Sequence, residues 1–396
     1  MKGAATAGAD VLIAGAGLVG LSLAPALAAT GLSVALADRR PLALPEAPRD
    51  DDDWDARVYA ISPGSAAFLR ALGAWQRLAA ERIAPIESMR VEGDAGAVLR
   101  FSAYDLGERA LAWIVEERAL AAALLPAVHA AGVALHAGSG FEALSLTDEA
   151  ARLRFAGGGD FVARLVVGAD GARSWIREAA GIRAEPRPYG QTAVVANFAC
   201  ERVHRGCAYQ WFRPDGAILA WLPLSGRRVS IVWSAPEPLA AELLGLAPEA
   251  LAQRVAAEGR FALGEFACIT AGQGFPLRWV RVPEVVARRV ALVGDAAHGV
   301  HPLAGQGVNL GFGDADALAA VLRERGPLRD PGASILLERY ARRRAEPVTA
   351  MQTLTDGLAR LFALPMPWAR SLRNLGMTML DGLPHAKRLL ARSALR

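Results

Sequence analysis

The sequence predicts an α/β protein: a parallel-sheet domain built from βαβ units, an antiparallel sheet inserted into it, and a helical segment at the C-terminal end. Three observations predict it. The apolar run Val11–Ala14 meets a glycine-rich turn and then a helical stretch, as a buried parallel strand feeding a helix does. After Pro188 the chain turns to short, aromatic, β-prone runs, with hairpin signals at Asp215-Gly216 and Ser225-Gly226. Val290–Val293 then restores the parallel-strand pattern, so the first domain is expected to be discontinuous.

The elements follow in order. A helix is expected from about Leu18 to Thr30, ended by Gly31, and Leu32–Ala37 is the second strand, stopping at Asp38. Pro25 lies past the first helical turn and should kink that helix. Residues 40–56 read as a loop, and the acidic run Asp50–Asp53 reads as solvated surface, because no metal-ligand spacing surrounds it. Pro63–Leu72 and Glu117–Ala131 are helical; Val133–His136, Leu153–Phe155 and Arg164–Val167 are strands. In the insert, Thr192–Cys200, Ala208–Phe212, Ala217–Leu222 and Arg228–Ser234 are strands. There Trp211, Phe212 and Trp221 alternate with small or polar neighbours, serving either as sheet core or as contacts to a ligand ring. From Ile335 onward the pattern is helical.

Composition narrows the classes. A chain of 396 residues suits two or three domains. The net charge is +4, carried almost wholly by arginine, since Lys2 and Lys387 are the two lysines. With alanine also abundant, arginine reflects a GC-rich coding background rather than a partner. No basic stripe interleaves with aromatics, so nucleic acid is not expected as a partner. Cys200, Cys207 and Cys268 fit no zinc or redox spacing, and their odd number argues against a disulfide framework. A reducing, cytoplasmic compartment follows. Val11–Ala37 carries no charge, yet Gly15, Gly17, Gly20, Pro25 and Gly31 divide it, and only Lys2 offers a basic flank. It reads as strand, turn, helix and strand rather than as a membrane span or signal.

The chemistry begins at Gly15-Ala16-Gly17-Leu18-Val19-Gly20, which follows a strand and opens a helix. That context makes it a dinucleotide fingerprint: the glycines let backbone approach a pyrophosphate at a helix N-terminus. Asp38 lies 18 residues beyond Gly20, where a carboxylate can hold a ribose. This motif alone leaves FAD and NAD undecided.

Two later segments decide. Val167-Gly168-Ala169-Asp170-Gly171-Ala172-Arg173-Ser174 is one; Ala291-Leu292-Val293-Gly294-Asp295-Ala296-Ala297-His298, then His301-Pro302-Leu303-Ala304-Gly305-Gln306-Gly307-Val308-Asn309, is the other. In this order they resemble the fingerprints of the class A FAD-dependent aromatic hydroxylases, the p-hydroxybenzoate hydroxylase fold. Over nearly the whole chain the sequence is most similar to the ubiquinone-biosynthesis hydroxylases, the UbiH/UbiF type. Asp55-Ala56-Arg57-Val58-Tyr59-Ala60-Ile61-Ser62, Trp113-Ile114-Val115-Glu116-Glu117-Arg118 and Phe212-Arg213-Pro214-Asp215-Gly216 share the likeness, as do Thr355-Asp356-Gly357-Leu358 and Leu383-Pro384 in the tail.

The resemblance implies an FAD/NAD(P)-binding Rossmann-like domain, an inserted antiparallel substrate domain and a C-terminal helical segment. The boundaries expected are 1–187 and 281–345 for the FAD domain, 188–280 for the substrate domain, with an excursion into it near 75–110, and 346–396 for the helical segment. It implies that Gly15, Ala16, Gly17, Leu18, Val19 and Gly20 cradle the FAD pyrophosphate, with Asp38 and Arg39 at the adenosine ribose. Arg57 and Arg118 would reach FAD, and Asp170 and Gly171 would lie near the pyrophosphate. Gly294 and Asp295 would meet the ribityl chain. Pro302, Gly305, Gln306, Gly307, Val308 and Asn309 would run past the flavin ring, with a helix starting near Gly307. The family more often carries Glu where Asp38 stands; the shorter acid can still hold a ribose.

The implied reaction has NAD(P)H reduce FAD, and O2 then form a flavin C4a-hydroperoxide that hydroxylates a phenol ring, here of a polyprenylated ubiquinone precursor. His298, His301 and Pro302, near the flavin ring, are the candidates for a catalytic role, and a structural role for the histidines is the first reading. No metal cluster is expected. From Arg360 to Arg396 the tail holds seven basic residues and one acid among many leucines. It serves as a helical cap, as a peripheral contact with the inner face of the membrane, or as both. Contact with a quinone-synthesis assembly is a further expectation. The alternatives are a class A hydroxylase of a soluble aromatic compound and a non-catalytic FAD- or lipid-binding subunit. A flavin halogenase would need a lysine near the flavin, which this sequence does not offer.

Overall fold

The computed structural model describes residues 7–42, 48, 53–301, 303–326 and 328–395. Asp50–Asp52 and Pro302 lie outside the described residues.

The chain opens with β1 (Ala7–Ala14), α1 (Leu18–Ala28) and β2 (Val34–Asp38). Val11–Ala14 and Ala35–Ala37 have no exposed surface, which is why they carry no polar alternation. α1 runs on through Pro25 to Ala28. Next come β3 (Val58–Ile61), α2 (Pro63–Ala71), β4 (Ala84–Ile86), β5 (Ser88–Glu92), β6 (Val98–Ser102), β7 (Ala112–Glu116) and α3 (Glu117–Ala130). Pro63 stands at the start of α2 and the Ser62 hydroxyl caps it. β8 (Ala134–Ala137), β9 (Phe141–Leu146), β10 (Ala151–Phe155), β11 (Asp160–Gly168) and the short α4 (Trp175–Ala179) complete the first stretch.

The insert holds β12 (Glu185–Cys200), β13 (Cys207–Phe212), β14 (Ile218–Leu224), β15 (Arg228–Pro236), α5 (Glu237–Gly245), α6 (Pro248–Glu258), β16 (Phe266–Cys268) and β17 (Gln273–Arg281). β18 (Val286–Ala287) and β19 (Val290–Leu292) return to the first domain, followed by α7 (Gly307–Arg323). The tail is α8 (Ser334–Ala363), α9 (Pro367–Asp381) and α10 (Pro384–Leu395).

The first sheet runs β18-β19-β11-β1-β2-β8, and from β19 to β8 its neighbours are parallel. So β19, arriving after the insert, pairs with β11 and completes the parallel sheet: Val166 faces Val290 and Gly168 faces Leu292. α1, α3 and α7 bury one face of it through Leu23, Leu27, Leu124, Phe312 and Leu318. β9 and β10 extend β11 as an antiparallel meander toward the other face.

The second sheet runs β16-β12-β15-β14-β13-β5-β6, with β17 also on β12. β5 and β6 thus join the insert, β5 lying parallel to β13. Its side chains alternate between two environments. Val194, Trp211, Trp221, Ile231 and Trp233 pack under α5 and α6; Val195, Gln210, Phe212, Ala220 and Val232 face a cavity. The sequence shows the alternation but not the two helices, which are needed to cover the tryptophan face. A third sheet, β3-β7-β4, bridges the two domains.

Candidate active site

The carboxyl ends of β1, β11 and β19 open onto one cavity of about 1140 Å³ beneath the second sheet, the usual place for a ligand in an open α/β sheet. Three loops build its polar end.

The first is the glycine turn. At Gly15 the backbone reverses with φ +112°. A Cβ there would lie 2.3 Å from the carbonyl oxygen of Ala169, so this turn presses on the one after β11. A Cβ at Gly20 would lie 1.9 Å from the carbonyl oxygen of Gly15, so α1 sits directly on its own turn. Gly17 differs: a Cβ there meets nothing within 4 Å. Gly17, Leu18 and Val19 line the cavity. No side chain caps α1 and its first turn has no acid, leaving free N–H groups and a positive dipole end for an anion. The Ala16 N–H donates to Asp38 Oδ2 at 2.7 Å, and Arg40 N–H to Asp38 Oδ1 at 2.8 Å. Asp38 is therefore a buried tie on the glycine turn itself, and Arg39 beside it is exposed.

The second loop is Gly168–Gly171. Asp170 accepts from the Ser174 hydroxyl and from the N–H groups of Trp175 (2.7 Å) and Ile176 (3.1 Å). Its carboxylate caps α4, while Ala169, Gly171 and Ala172 line the cavity with backbone.

The third loop follows β19. Asp295 lies deep in the molecule, yet its surface is open, because it faces the cavity. Burial pushes its carboxyl above the ordinary range, against the pull of His298 and Arg57. No hydrogen bond ties it to a described residue. Behind it, Asp314 of α7 is fully engaged: Oδ2 accepts from Gly294 N–H (2.8 Å) and His298 Nε2 (2.6 Å), and Oδ1 from Arg344 Nε (2.6 Å). Burial opposes charge on Asp314, but His298 and Arg344 outweigh it and hold its carboxyl below the ordinary value. Burial opposes charge on His298 too, and Asp314 outweighs it, raising the imidazole. His301 is different. Burial pushes it down to about 4, its Nδ1 accepts from Leu303 N–H at 3.2 Å, and its Nε2 lies 3.3 Å from Gln191 Oε1. It is neutral at pH 7, and neither histidine is among the residues lining the cavity.

Arg57 crosses the cavity wall, donating to the Tyr59 hydroxyl at 2.7 Å, pairing with Glu117 at 2.7 Å and lying 5.4 Å over the Phe275 ring. Arg118 sits away from the lining, paired with Asp53 at 3.0 Å and Glu116 at 3.4 Å. Gly305, Gln306, Gly307 and Val308 line the cavity where α7 begins, and α7, like α1, has no side-chain cap and no acid in its first turn. Asn309 latches this helix to β3, accepting from Ser62 N–H at 2.9 Å and donating to the Ala60 carbonyl at 2.8 Å.

Asp314, Arg344, Tyr59 and Glu117 were not singled out from sequence. One signal existed for Asp314: it falls between Leu310 and Leu318 on the buried face of a helix, where a lone acid needs a partner.

The residues fit a dinucleotide carrying a flavin. Two uncapped helix N-termini, the open space at Gly17 and the untied Asp295 are four features that a diphosphate and a polyhydroxyl chain would engage. Beyond them the cavity is apolar, passing Phe212, Ile218 and Leu222 to Leu358, Phe362 and Leu380 of the tail helices. Among the described residues no group of histidine, cysteine, aspartate or glutamate could hold a metal ion.

Comparison with known proteins agrees with this geometry. The family described as FAD binding domain matches residues 8–355. Ubiquinone hydroxylase UbiL of Rhodospirillum rubrum is 37% identical over 401 residues, spanning 100% of this chain and 91% of its own. The 3-demethoxyubiquinol 3-hydroxylase of Escherichia coli is 34% identical over 388 residues, spanning 98% of each chain. The crystal structure of PqsL, a probable FAD-dependent monooxygenase from Pseudomonas aeruginosa, superposes with a TM-score of 0.77 at 26% identity, over 93% of this chain and 99% of that one.

Proposed function

The chain belongs to the FAD-binding family of flavin-dependent monooxygenases, and from that premise we propose that it hydroxylates the aromatic ring of a polyprenylated ubiquinone precursor, using O2 and NAD(P)H. The observation that carries the substrate class is the continuity of the cavity: its polar end at Asp295 and the glycine turns passes without a break into an apolar arm that reaches the C-terminal helices. A soluble aromatic needs no such arm; a prenyl chain does.

In this reading the N–H groups at the start of α1 and the bare backbone at Gly17 hold the FAD diphosphate, and Asp295 accepts from ribityl hydroxyls. Asp38 fixes the glycine turn and leaves part of its carboxylate for the ribose. Arg57 reaches the cofactor from the wall. When bound there, FAD would supply the redox chemistry, with NAD(P)H as hydride donor and O2 as the source of the oxygen placed on the ring. The N-terminus of α7 presents a positive dipole end that favours negative charge beside Gly307. The apolar roof excludes water and holds the ring, and the tail lies along the arm. The substrate is met at a membrane surface.

The test is the lipid profile of a strain of the source organism lacking this gene. We expect an under-hydroxylated polyprenylphenol to accumulate, and to disappear on return of the wild-type gene but not of an Asp295→Ala variant. A profile unchanged by the deletion would sink the substrate assignment and favour a soluble aromatic.

A further inference from the structure

The helix α9 buries two polar side chains and leaves a stripe of large apolar ones exposed. Its buried side chains include Arg373 and Asn374, and both bond Asp94 in the turn between β5 and β6: Arg373 through a bidentate ion pair, Asn374 Nδ2 at 2.7 Å. Asn374 Oδ1 in turn accepts from Ala95 N–H at 3.2 Å. Arg373 also donates to the carbonyls of Leu361 (2.7 Å) and Leu364 (3.0 Å), fixing α9 to the end of α8. Polar groups thus hold the helix down beside the inward-facing Ala369, Met377 and Leu380, while four of its large apolar residues point away. Trp368, Leu372, Leu375 and Met379 are 63%, 60%, 52% and 60% exposed. Their spacing of four, three and four places them on one stripe. Leu383, Leu389 and Leu390 continue the exposed apolar surface onto α10, and α10 packs against the turn that carries Tyr104, 88% exposed.

A water-facing helix would reverse this pattern, because an exposed apolar stripe on a rigid, ion-paired helix has a standing cost in water. Two features say what covers it. From Arg360 onward the segment holds seven basic residues and one acid; Arg373 and Arg370 are spent on Asp94 and Lys387 on Asp381, while Arg360 and Arg388 stay exposed, so the charge left at the surface favours an anionic partner. The rim of the stripe is also the rim of the cavity: Leu372 and Leu390 are exposed and line it, with Leu380 and Phe362 beyond. The cavity therefore opens among the apolar residues of this face. Among the described residues no helix is long and apolar enough to cross a membrane, so contact of this kind is interfacial.

We infer that α9 and α10 form a docking face for an anionic lipid bilayer, with Trp368, Leu375 and Met379 entering the headgroup region and Leu372 and Leu390 opening the apolar arm directly to the lipid. A tryptophan at the edge of the stripe suits the membrane–water interface, and the exposed Arg388 of α10, next to Leu389, is placed to meet lipid phosphates. The inference deepens the proposed function by naming where a lipid substrate would enter, but the face itself is tested without substrate.

The experiment is flotation of the full-length FAD-loaded protein with vesicles of phosphatidylcholine alone or mixed with phosphatidylglycerol, beside a Trp368→Ser, Leu375→Ser, Met379→Ser triple variant. None of these three side chains lines the cavity, and all are exposed, so FAD content should match the wild type. We expect the wild type to float with anionic vesicles, less so as salt is raised, and the variant to bind about tenfold more weakly or worse. Turnover of a water-soluble, short-chain phenol should be equal in both. If the wild type ignores anionic vesicles, or the variant floats as well as the wild type, the inference fails. It fails equally if the wild type is a dimer that the variant converts to monomers, since the stripe is then a contact between copies. Loss of turnover in both proteins with flotation intact would instead count against the proposed reaction and leave the docking face standing.

Discussion

His298 Nε2 lies 2.6 Å from Asp314 Oδ2, and the same oxygen accepts the N–H of Gly294. One buried carboxylate therefore fixes the turn from which Asp295 reaches the cavity. Arg344 of α8 binds its other oxygen at 2.6 Å, so the turn is tied to the tail helices as well. Replacing Asp314 by Asn leaves Arg344 and His298 without their counter-charge in a buried setting. The expected loss is about 3 kcal/mol of stability, the usual penalty for orphaning one member of a buried pair. FAD affinity should fall with it, because Gly294 loses its anchor. Denaturant titration of the apo-protein and flavin fluorescence of the holo-protein measure the two effects; a variant as stable as wild type would show the network to be idle.

The same pair predicts a pH dependence. His298 is raised above its ordinary value of 6.5, so its contribution is complete below that value and is lost as pH climbs through the raised folded value. Asp314 is lowered from 3.8, so its contribution holds above that value and is lost only as pH falls through the folded one. The pair is therefore strongest between these limits and weakens on the alkaline side through His298. The melting temperature of the wild type should exceed that of His298→Gln by a margin that narrows as pH rises above neutrality. A margin that stays constant or widens toward high pH would mean that His298 is not held as the cation.

Gly17 and Gly20 separate folding from cofactor binding. An added methyl at Gly20 would strike the Gly15 carbonyl, so Gly20→Ala should lower both stability and FAD content. At Gly17 the methyl meets no protein atom within 4 Å and φ is −72°, so Gly17→Ala should fold as the wild type does. Its methyl would instead occupy the space proposed for the diphosphate. FAD affinity should drop by about tenfold or more, an effect of roughly 1.4 kcal/mol or greater. Calorimetry of the apo-proteins and flavin titration test this; Gly17→Ala with wild-type affinity would place the diphosphate elsewhere.

The parts of this site that depend on backbone were legible in the sequence. Gly15 and Gly294 mark sharp turns at strand ends, Gly20 lets α1 pack on its own turn, and the strands before those turns are apolar on both faces. Side-chain duties were less legible. Asp170 shares its motif with cavity-lining glycine, but its carboxylate is spent on the five-residue helix α4, which no periodicity announces. Arg118 and Arg57 stand in similar motifs, yet the first is held by Asp53 and Glu116 and the second lines the cavity. Arg344 is one of three consecutive arginines, and only packing chooses the one that meets Asp314. Of the aromatic candidates in the insert, Trp211 and Trp221 face α5 and α6, while Phe212 faces the cavity and stacks on Phe362 at 3.7 Å. Alternation separated the two sets, but not which set met the ligand.

Gln210 carries the last prediction. It sits on β13 between the tryptophan layer and the cavity, 6% exposed, in a roof otherwise made mainly of Ala193, Val195, Ala220, Leu222 and Val232. Among the described residues its side-chain amide has no hydrogen-bond partner, and the buried Ser230 hydroxyl on β15 has none either. Both residues line the cavity. Leaving an amide unmatched in an apolar wall costs about 1–3 kcal/mol, so a ligand oxygen that pairs with it gains a comparable preference for one orientation. A phenol or quinone oxygen has the required chemistry. Gln210→Leu keeps the volume and removes the pairing. It should leave FAD binding unchanged and lower kcat/KM for the aromatic substrate by roughly ten- to hundredfold, as that energy implies. The ring would also sit less well against the flavin, so more NAD(P)H should be consumed per product formed, with the excess appearing as hydrogen peroxide. Product, NAD(P)H and peroxide measured together decide the matter. Equal coupling and equal kcat/KM in the variant would show that the roof holds the ring by shape alone.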